Sequence, residues 1–185
     1  TVVKFKEVPS NSDAASALII TRGAQIFAIG TATEPIIFTA ETDDINNPND
    51  LGPLDTKLWA GLVLLGKAKT LKDGSYEVNV EGIPTTEPRG LYGAMGGNPN
   101  AFVDNDNSGT LKYISIRHTG FGLSSGNELQ GLTLGGVGSG TTIEHVESYA
   151  SSDDGIEIFG GSVNIKYFVS AFIEDDTYDV DEGWS

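Results

Sequence analysis

Residues 142–161, TIEHVESYASSDDGIEIFGG, recur as residues 164–183, NIKYFVSAFIEDDTYDVDEG, displaced by 22 positions. Ile143 falls on Ile165, Val146 on Phe168, Asp153 on Asp175, Asp154 on Asp176 and Glu157 on Asp179. A unit this short cannot bury a core by itself, so its repetition implies that successive units stack and share one. Like residues then lie over like residues, which calls for parallel strands. Two or three short strands closed by turns make one coil of a β-helix.

The register extends upstream. Leu111-Lys-Tyr-Ile114 aligns with Ile143-Glu-His-Val146 and with Ile165-Lys-Tyr-Phe168. This predicts an apolar file Leu111/Ile143/Ile165, a second file Ile114/Val146/Phe168, and a charged column Lys112/Glu144/Lys166. Stacked strands are about 4.8 Å apart, close enough for that column to pair along the surface. Tyr113, His145 and Tyr167 share a further column. Gly61-Leu-Val-Leu, Gly131-Leu-Thr-Leu and Gly155-Ile-Glu-Ile suggest that Gly61, Gly131 and Gly155 mark one corner on different turns.

Strand-like runs bounded by Gly, Asn, Asp or Pro continue through the chain: Val2–Phe5, Leu18–Thr21, Gln25–Ile29, Pro35–Thr39, Gly61–Leu65, Tyr76–Val80, Leu111–Ile116, Thr142–Val146, Ile156–Phe159 and Asn164–Val169. No useful 3.6-residue apolar period is present, and only Ser12–Ala17 and Asp55–Trp59 suggest short helices. A leucine-rich repeat has an overlapping period, but its leucine and asparagine signature is missing. Thr42–Lys57 and Glu81–Gly109 read as loops leaving the stack. The expected fold is all-β: one domain over residues 1–185, a single-stranded right-handed parallel β-helix of about six coils with irregular loop insertions. Neither end carries an obvious polar cap, so a longer or self-stacking solenoid is expected, with homotypic end-to-end stacking as one outcome.

Composition agrees. The 185 residues include 24 glycines and no cysteine, which excludes disulfides and thiol chemistry. Acidic residues number 26 against 11 basic ones, a net charge of −15 that repels phosphate backbones, so no nucleic-acid partner is expected. No apolar run has the length of a membrane span, and TVVKFKEVPS lacks the order of a signal peptide.

The segments WAGLVLLGKA (59–68), DNDNSGTLKYISIR (104–117), LQGLTLGGVGSGTTIEHVESY (129–149), DDGIEIFGG (153–161) and EDDTYDVDEGW (174–184) resemble a family of secreted bacterial right-handed parallel β-helix proteins of largely unknown function, within the pectate-lyase-like solenoids. So does ALIITRGAQIFAIGTATEPIIFTAE at 17–41. The resemblance covers most of the chain and implies a β-helix that is secreted or displayed at the cell surface. It fixes no activity, because β-helices serve as polysaccharide lyases, adhesins and ice-binding proteins alike.

Nine carboxylates lie between Asp153 and Glu182, and only Lys166 balances them in that stretch. Acids one coil apart repel or take up protons unless a cation compensates them. The candidate metal ligands are Asp153, Asp154, Glu157, Asp175, Asp176, Asp179 and Asp181, with calcium as the candidate cofactor, since it accepts six to eight oxygens in irregular geometry. The competing reading is ordinary corner residues that face water and cap amides.

Other motifs are weaker. Asp104-Asn-Asp106-Asn-Ser108-Gly109 imitates an EF-hand opening, but the twelfth position is Ser115 and no helices flank it. Gly122-Leu-Ser124-Ser-Gly126 matches a nucleophile elbow without the helix that chemistry needs. Gly135-Gly136-Val-Gly138-Ser-Gly140 lacks dinucleotide spacing and reads as a turn between coils. His118 and His145 do not have zinc-ligand spacing. Trp59, Tyr92, Phe102, Tyr178 and Trp184 are candidate sugar-stacking surfaces or packing residues. Arg117 and Arg89 are candidate bases for a polysaccharide lyase. The expected function is a non-catalytic extracellular structural, adhesion or fibre-forming module, with a lyase or glycan-binding module as the alternative and an extracellular polysaccharide as the partner that alternative requires.

Overall fold

The computed structural model of the chain describes residues 1–7, 16–121 and 128–185. Thirteen strands are found there: β1 Val2–Phe5, β2 Ala17–Ile20, β3 Ile26–Ile29, β4 Ile36–Ala40, β5 Gly61–Leu65, β6 Glu77–Asn79, β7 Leu91–Gly93, β8 Gly109–Arg117, β9 Leu132–Gly135, β10 Thr142–Tyr149, β11 Ile156–Phe159, β12 Asn164–Ala171 and β13 Asp179–Asp181. All pair in parallel except β6 with β7, which form a small antiparallel hairpin. The first sheet runs β1-β4-β8-β10-β12, and the second runs β13-β11-β9-β5-β2. The chain passes from one sheet to the other in each coil, which is a parallel β-helix.

Five rungs are present among the described residues, where about six were expected, because the insertions consume more chain than loops alone. β3 and β4 together make a single rung. β3 lies on the first half of β8, with Ile26 opposite Gly109, and β4 on the second half, with Ile36 opposite Ile114. The excursion between them leaves at the level of Tyr113.

The register follows the repeat. Ile143 pairs with Leu111 on one side and Ile165 on the other, and Val146 with Ile114 and Phe168. Both files point into the coil, yet they are three residues apart, whereas strand side chains alternate every two. The difference is absorbed by one left-handed residue per rung. Tyr113, His145 and Tyr167 have φ of 52°, 54° and 55° and are skipped in the pairing. Each is a bulge that turns the second half of its strand over, so that Val146 and Ser148 face inward as Ile143 does. Such a φ strains a residue with a side chain. Here the bulges superpose, and the ejected rings stack on the outer surface, Tyr113 on His145 and His145 on Tyr167, each with centroids 4.5 Å apart. His118, Ala150 and Phe172 form a second column of positive φ at the ends of the same strands.

Leu62, Leu64, Leu111, Ile116, Leu132, Leu134, Ile143 and Ile156 fill the coil interior. Ile143 is fully buried in the middle of its file. Ile143→Ala should therefore cost about 2–5 kcal/mol, read as a lower urea midpoint; a loss under about 1 kcal/mol would mean that the file is not tightly packed. On the surface, Glu144 meets Lys112 at 3.3 Å and Lys166 at 3.8 Å, the alternating column expected from the repeat. Exposed pairs of this kind contribute at most about 1 kcal/mol.

The second insertion departs from its expected character. Residues 81–109 do not simply leave the stack. β7 lies within them, pairs with β6, and covers the outer face of the second sheet. Val63, Leu65, Val78, Val80, Tyr92, Phe121, Leu129 and Phe159 form a second apolar core there. The central strands of this sheet, β5, β9 and β11, are buried along their whole length. That is why they read as near-continuous apolar runs.

Asp55–Trp59 is not helical. Ala17 opens β2 rather than closing a helix, and most of the other candidate helix, like the Gly122–Gly126 elbow, lies outside the described residues. Short 3₁₀ turns at Pro88–Gly90 and Met95–Gly97 are the only helical segments among the described residues. The Asp104–Gly109 segment is a packed turn. Asp106 is buried, and the Asp104 carbonyl accepts the hydroxyls of Ser139 and Ser162.

Candidate functional site

The corner that leads into β11 and the outer face of β11 carry the acids. In the second sheet, pairing puts Val63, Thr133, Glu157 and Asp179 in one column on successive rungs. The first packs with Val78 and Tyr92 of the β6–β7 hairpin. Asp153 and Asp154 sit at the corner just before β11, one rung from Asp175 and Asp176. The amide of Asp176 donates to Asp154 Oδ1 at 2.9 Å, which fixes one corner on the next.

Two groups of carboxylates result, joined at Asp154. Asp153, Asp154 and Asp175 each bring an oxygen within 4.8 Å of the others, and so do Asp154, Glu157 and Asp179. Five of the seven expected ligands are thus brought together. Asp176 and Asp181 are not: Asp176 contributes its backbone, and Asp181 is exposed in the column of Phe159. Lys166 does not balance the corner either, since it lies in the first sheet beside Glu144.

Burial sets the chemistry of this corner. Glu157 is only 6 % exposed, and its Oε2 has no hydrogen-bond partner among the described residues. Desolvation, reinforced by the charges of Glu81, Asp154 and Asp179, pushes its carboxyl up to about 9. Desolvation likewise raises Asp154 to about 7, against the opposing hydrogen bond from Asp176, with Asp153, Asp179 and Asp175 adding to the rise. Asp153 and Glu81 are raised for the same leading reason. Without a compensating cation Glu157 keeps its proton through neutral pH, and Asp154 gives up its own only around 7. Oxygens on opposite sides of a calcium ion stand about 5 Å apart, so either group has a spacing that one ion could bridge.

Three further residues belong to the site. Thr133 donates to Gln130 Oε1 at 2.6 Å, and Gln130 Nε2 donates to Glu81 Oε1 at 2.9 Å and to Asp153 Oδ2 at 3.1 Å. Thr133 was legible as the residue above Glu157; Gln130 falls in the column of Asp154 without sharing its chemistry, and Glu81 lies in the insertion. Glu182 is held separately. It accepts from Tyr92 at 2.9 Å and from the Thr70 hydroxyl, with Lys72 at 3.6 Å, and so ties the last rung to the insertion.

The other candidates fall mostly to packing. Trp59 is fully buried, stacks on Phe5 at 3.9 Å and donates to the Arg117 carbonyl at 2.7 Å. Tyr92 is buried, and burial beside Glu182 pushes its phenol well above the ordinary range. Phe102 meets the edge of Tyr76, whereas Tyr178 and Trp184 remain partly open. His118 is buried with Nδ1 2.6 Å from the Asp55 carbonyl, well apart in role from the stacked ring of His145. Arg89 is committed to Glu87, which it holds at about 2, far below the usual carboxylate range. Arg117 donates through Nε to Ser115 and forms no ion pair among the described residues. No helix among the described residues is long and apolar enough to cross a membrane.

No curated protein and no solved structure matches the chain. A family model does, across residues 2–185, and its description is a pectate-lyase like beta helix domain. With parallel rungs, in-register columns and a match over almost its entire length, the chain belongs to the pectate-lyase-like β-helix family.

Proposed function

We propose that the chain is a non-catalytic structural and adhesive module of a secreted or surface-displayed bacterial protein. The observation that carries this reading is the set of unbroken columns along the stack: Leu111/Ile143/Ile165 inside, and Lys112/Glu144/Lys166 and Tyr113/His145/Tyr167 outside. Each rung is held by its neighbours through a continuous ladder, an axial build suited to bearing load and presenting a repeated surface. The open ladder of β12 is a template for further parallel rungs, supplied by continuation of the chain or by a second copy. Micrographs distinguish these sources: particles that lengthen with concentration indicate stacking of copies, and particles of constant length exclude it.

A second reading rests on the outer face of the first sheet. Two adjoining hollows of about 510 and 290 Å³ share Arg117 and Glu147, with Tyr113, His145 and Tyr167 in the larger and Asp43, Asp44 and Tyr149 in the smaller. An arginine without a carboxylate ion-pair partner among the described residues at such a junction favours a bound polysaccharide, as a glycan module or a lyase would require. The ladder rings face one another, so they offer a sugar mainly their edges. Incubation with pectin, polygalacturonate and alginate decides between the readings. No rise in ultraviolet absorbance from unsaturated products is expected, and a sustained rise abolished by Arg117→Ala would overturn the non-catalytic role.

A further inference from the structure

We infer that Asp154, Glu157 and Asp179 bind one calcium ion that clamps the rung of β11 to the rung of β13. The cluster alone would not support this, because acids gathered at turns are common. What singles it out is Glu157. A carboxylate that is 6 % exposed has given up its hydration, and its Oε2 receives no hydrogen bond from any described residue in return. A buried polar atom without a partner is costly, and a native fold retains one where something else satisfies it. Among the acidic and histidine side chains of the described residues, Asp154 and Asp179 bring oxygens within 4.8 Å of an oxygen of that carboxylate. They can satisfy it only through a proton or a cation.

The donor set selects the cation. All three ligands are hard oxygens, with no sulfur or imidazole among them, which suits calcium over zinc. The oxygens come from a corner, a strand and the strand of the next rung, an irregular arrangement that calcium accepts and that magnesium, with its near-ideal octahedron, does not. Asp153 and Asp175 lie on the far side of Asp154 and add negative field and further oxygens at the rim. Gln130 holds Asp153 in place, and the Asp176 amide holds Asp154, so this half of the site is preformed. Because Glu157 and Asp179 are paired neighbours on different rungs, the ion would bind coil to coil. The site does not depend on the structural-module reading; a lyase on the same scaffold could carry it equally.

The test is calorimetric titration of the chelator-stripped chain with calcium chloride, alongside thermal melts and hydrogen exchange. One saturable ion per chain is expected, with a raised melting temperature and added protection in β12 and β13, and a weaker response to magnesium chloride. Glu157→Gln and Asp179→Asn should each weaken the affinity by about tenfold or more, while Asp181→Asn, outside both clusters, should leave it unchanged. No saturable binding at millimolar calcium by folded wild-type chain would overturn the proposal, and so would Glu157→Gln binding as wild type does. Should that variant fail to fold, Asp179→Asn and the wild-type exchange pattern decide, since an ion bound elsewhere would not protect β13. Lyase products in the preceding assay would remove the non-catalytic role without touching this result.

Discussion

In calcium-free buffer the protein is expected to lose stability steadily as pH rises from about 4.5 to about 9. The unfolded chain releases the Glu157 proton near 4.5, whereas the folded chain keeps it to about 9. Between those values the folded state binds more protons, so stability is greatest below 4.5 and declines through the window. Asp154 acts in the same sense from 3.8 to about 7, so the slope is steepest on the acid side of neutrality. Each ionising group contributes up to about 1.4 kcal/mol per pH unit, which amounts to several kcal/mol across the range. Glu157→Gln removes the larger titration at nearly constant shape, and it should stabilise the calcium-free protein at pH 8 while weakening its response to the ion. Urea midpoints at pH 5, 7 and 9 provide the measurement. Parallel profiles for wild type and variant would show that Glu157 does not govern the pH dependence.

Gly61→Ala is expected to be more damaging still. Gly61 adopts φ of 149°, and a Cβ there would overlap the carbonyl oxygen of Gln130 on the next rung. Relief requires the rungs to part at the corner that Gly131 and Gly155 continue, where Ser148 and Ser170 press equally close. Backbone cannot give way as a flexible side chain can. A loss of more than about 3 kcal/mol is expected, enough to leave a marginally stable chain largely unfolded at 37 °C. Circular dichroism melts would show it, and a shift of only a degree or two would mean that the corner is looser than its contacts indicate.

The architecture was legible because a solenoid writes its contacts into its sequence as a period. Ile143 over Ile165 and Glu157 over Asp179 are three-dimensional neighbours that alignment alone can find. The three-residue interval between Ile143 and Val146 was visible too, but its cause was not. Nothing about Tyr113, His145 or Tyr167 announces a left-handed backbone; the conformation is imposed by the neighbouring rungs, which carry the same bulge. The rung count failed for a related reason, since β3 and β4 look like two strands until β8 shows them to be halves of one.

The candidate site divides along the same line. Repetition alone determined that acids would gather along one edge, because equal spacing in the chain becomes superposition in a stack. Only the tertiary structure decided which of them share a centre: burial strips Glu157 of water and leaves its Oε2 without a partner among the described residues, while Asp176 and Asp181 remain outside. Desolvation depends on what packs above a residue, and a column of repeated letters does not encode that cover.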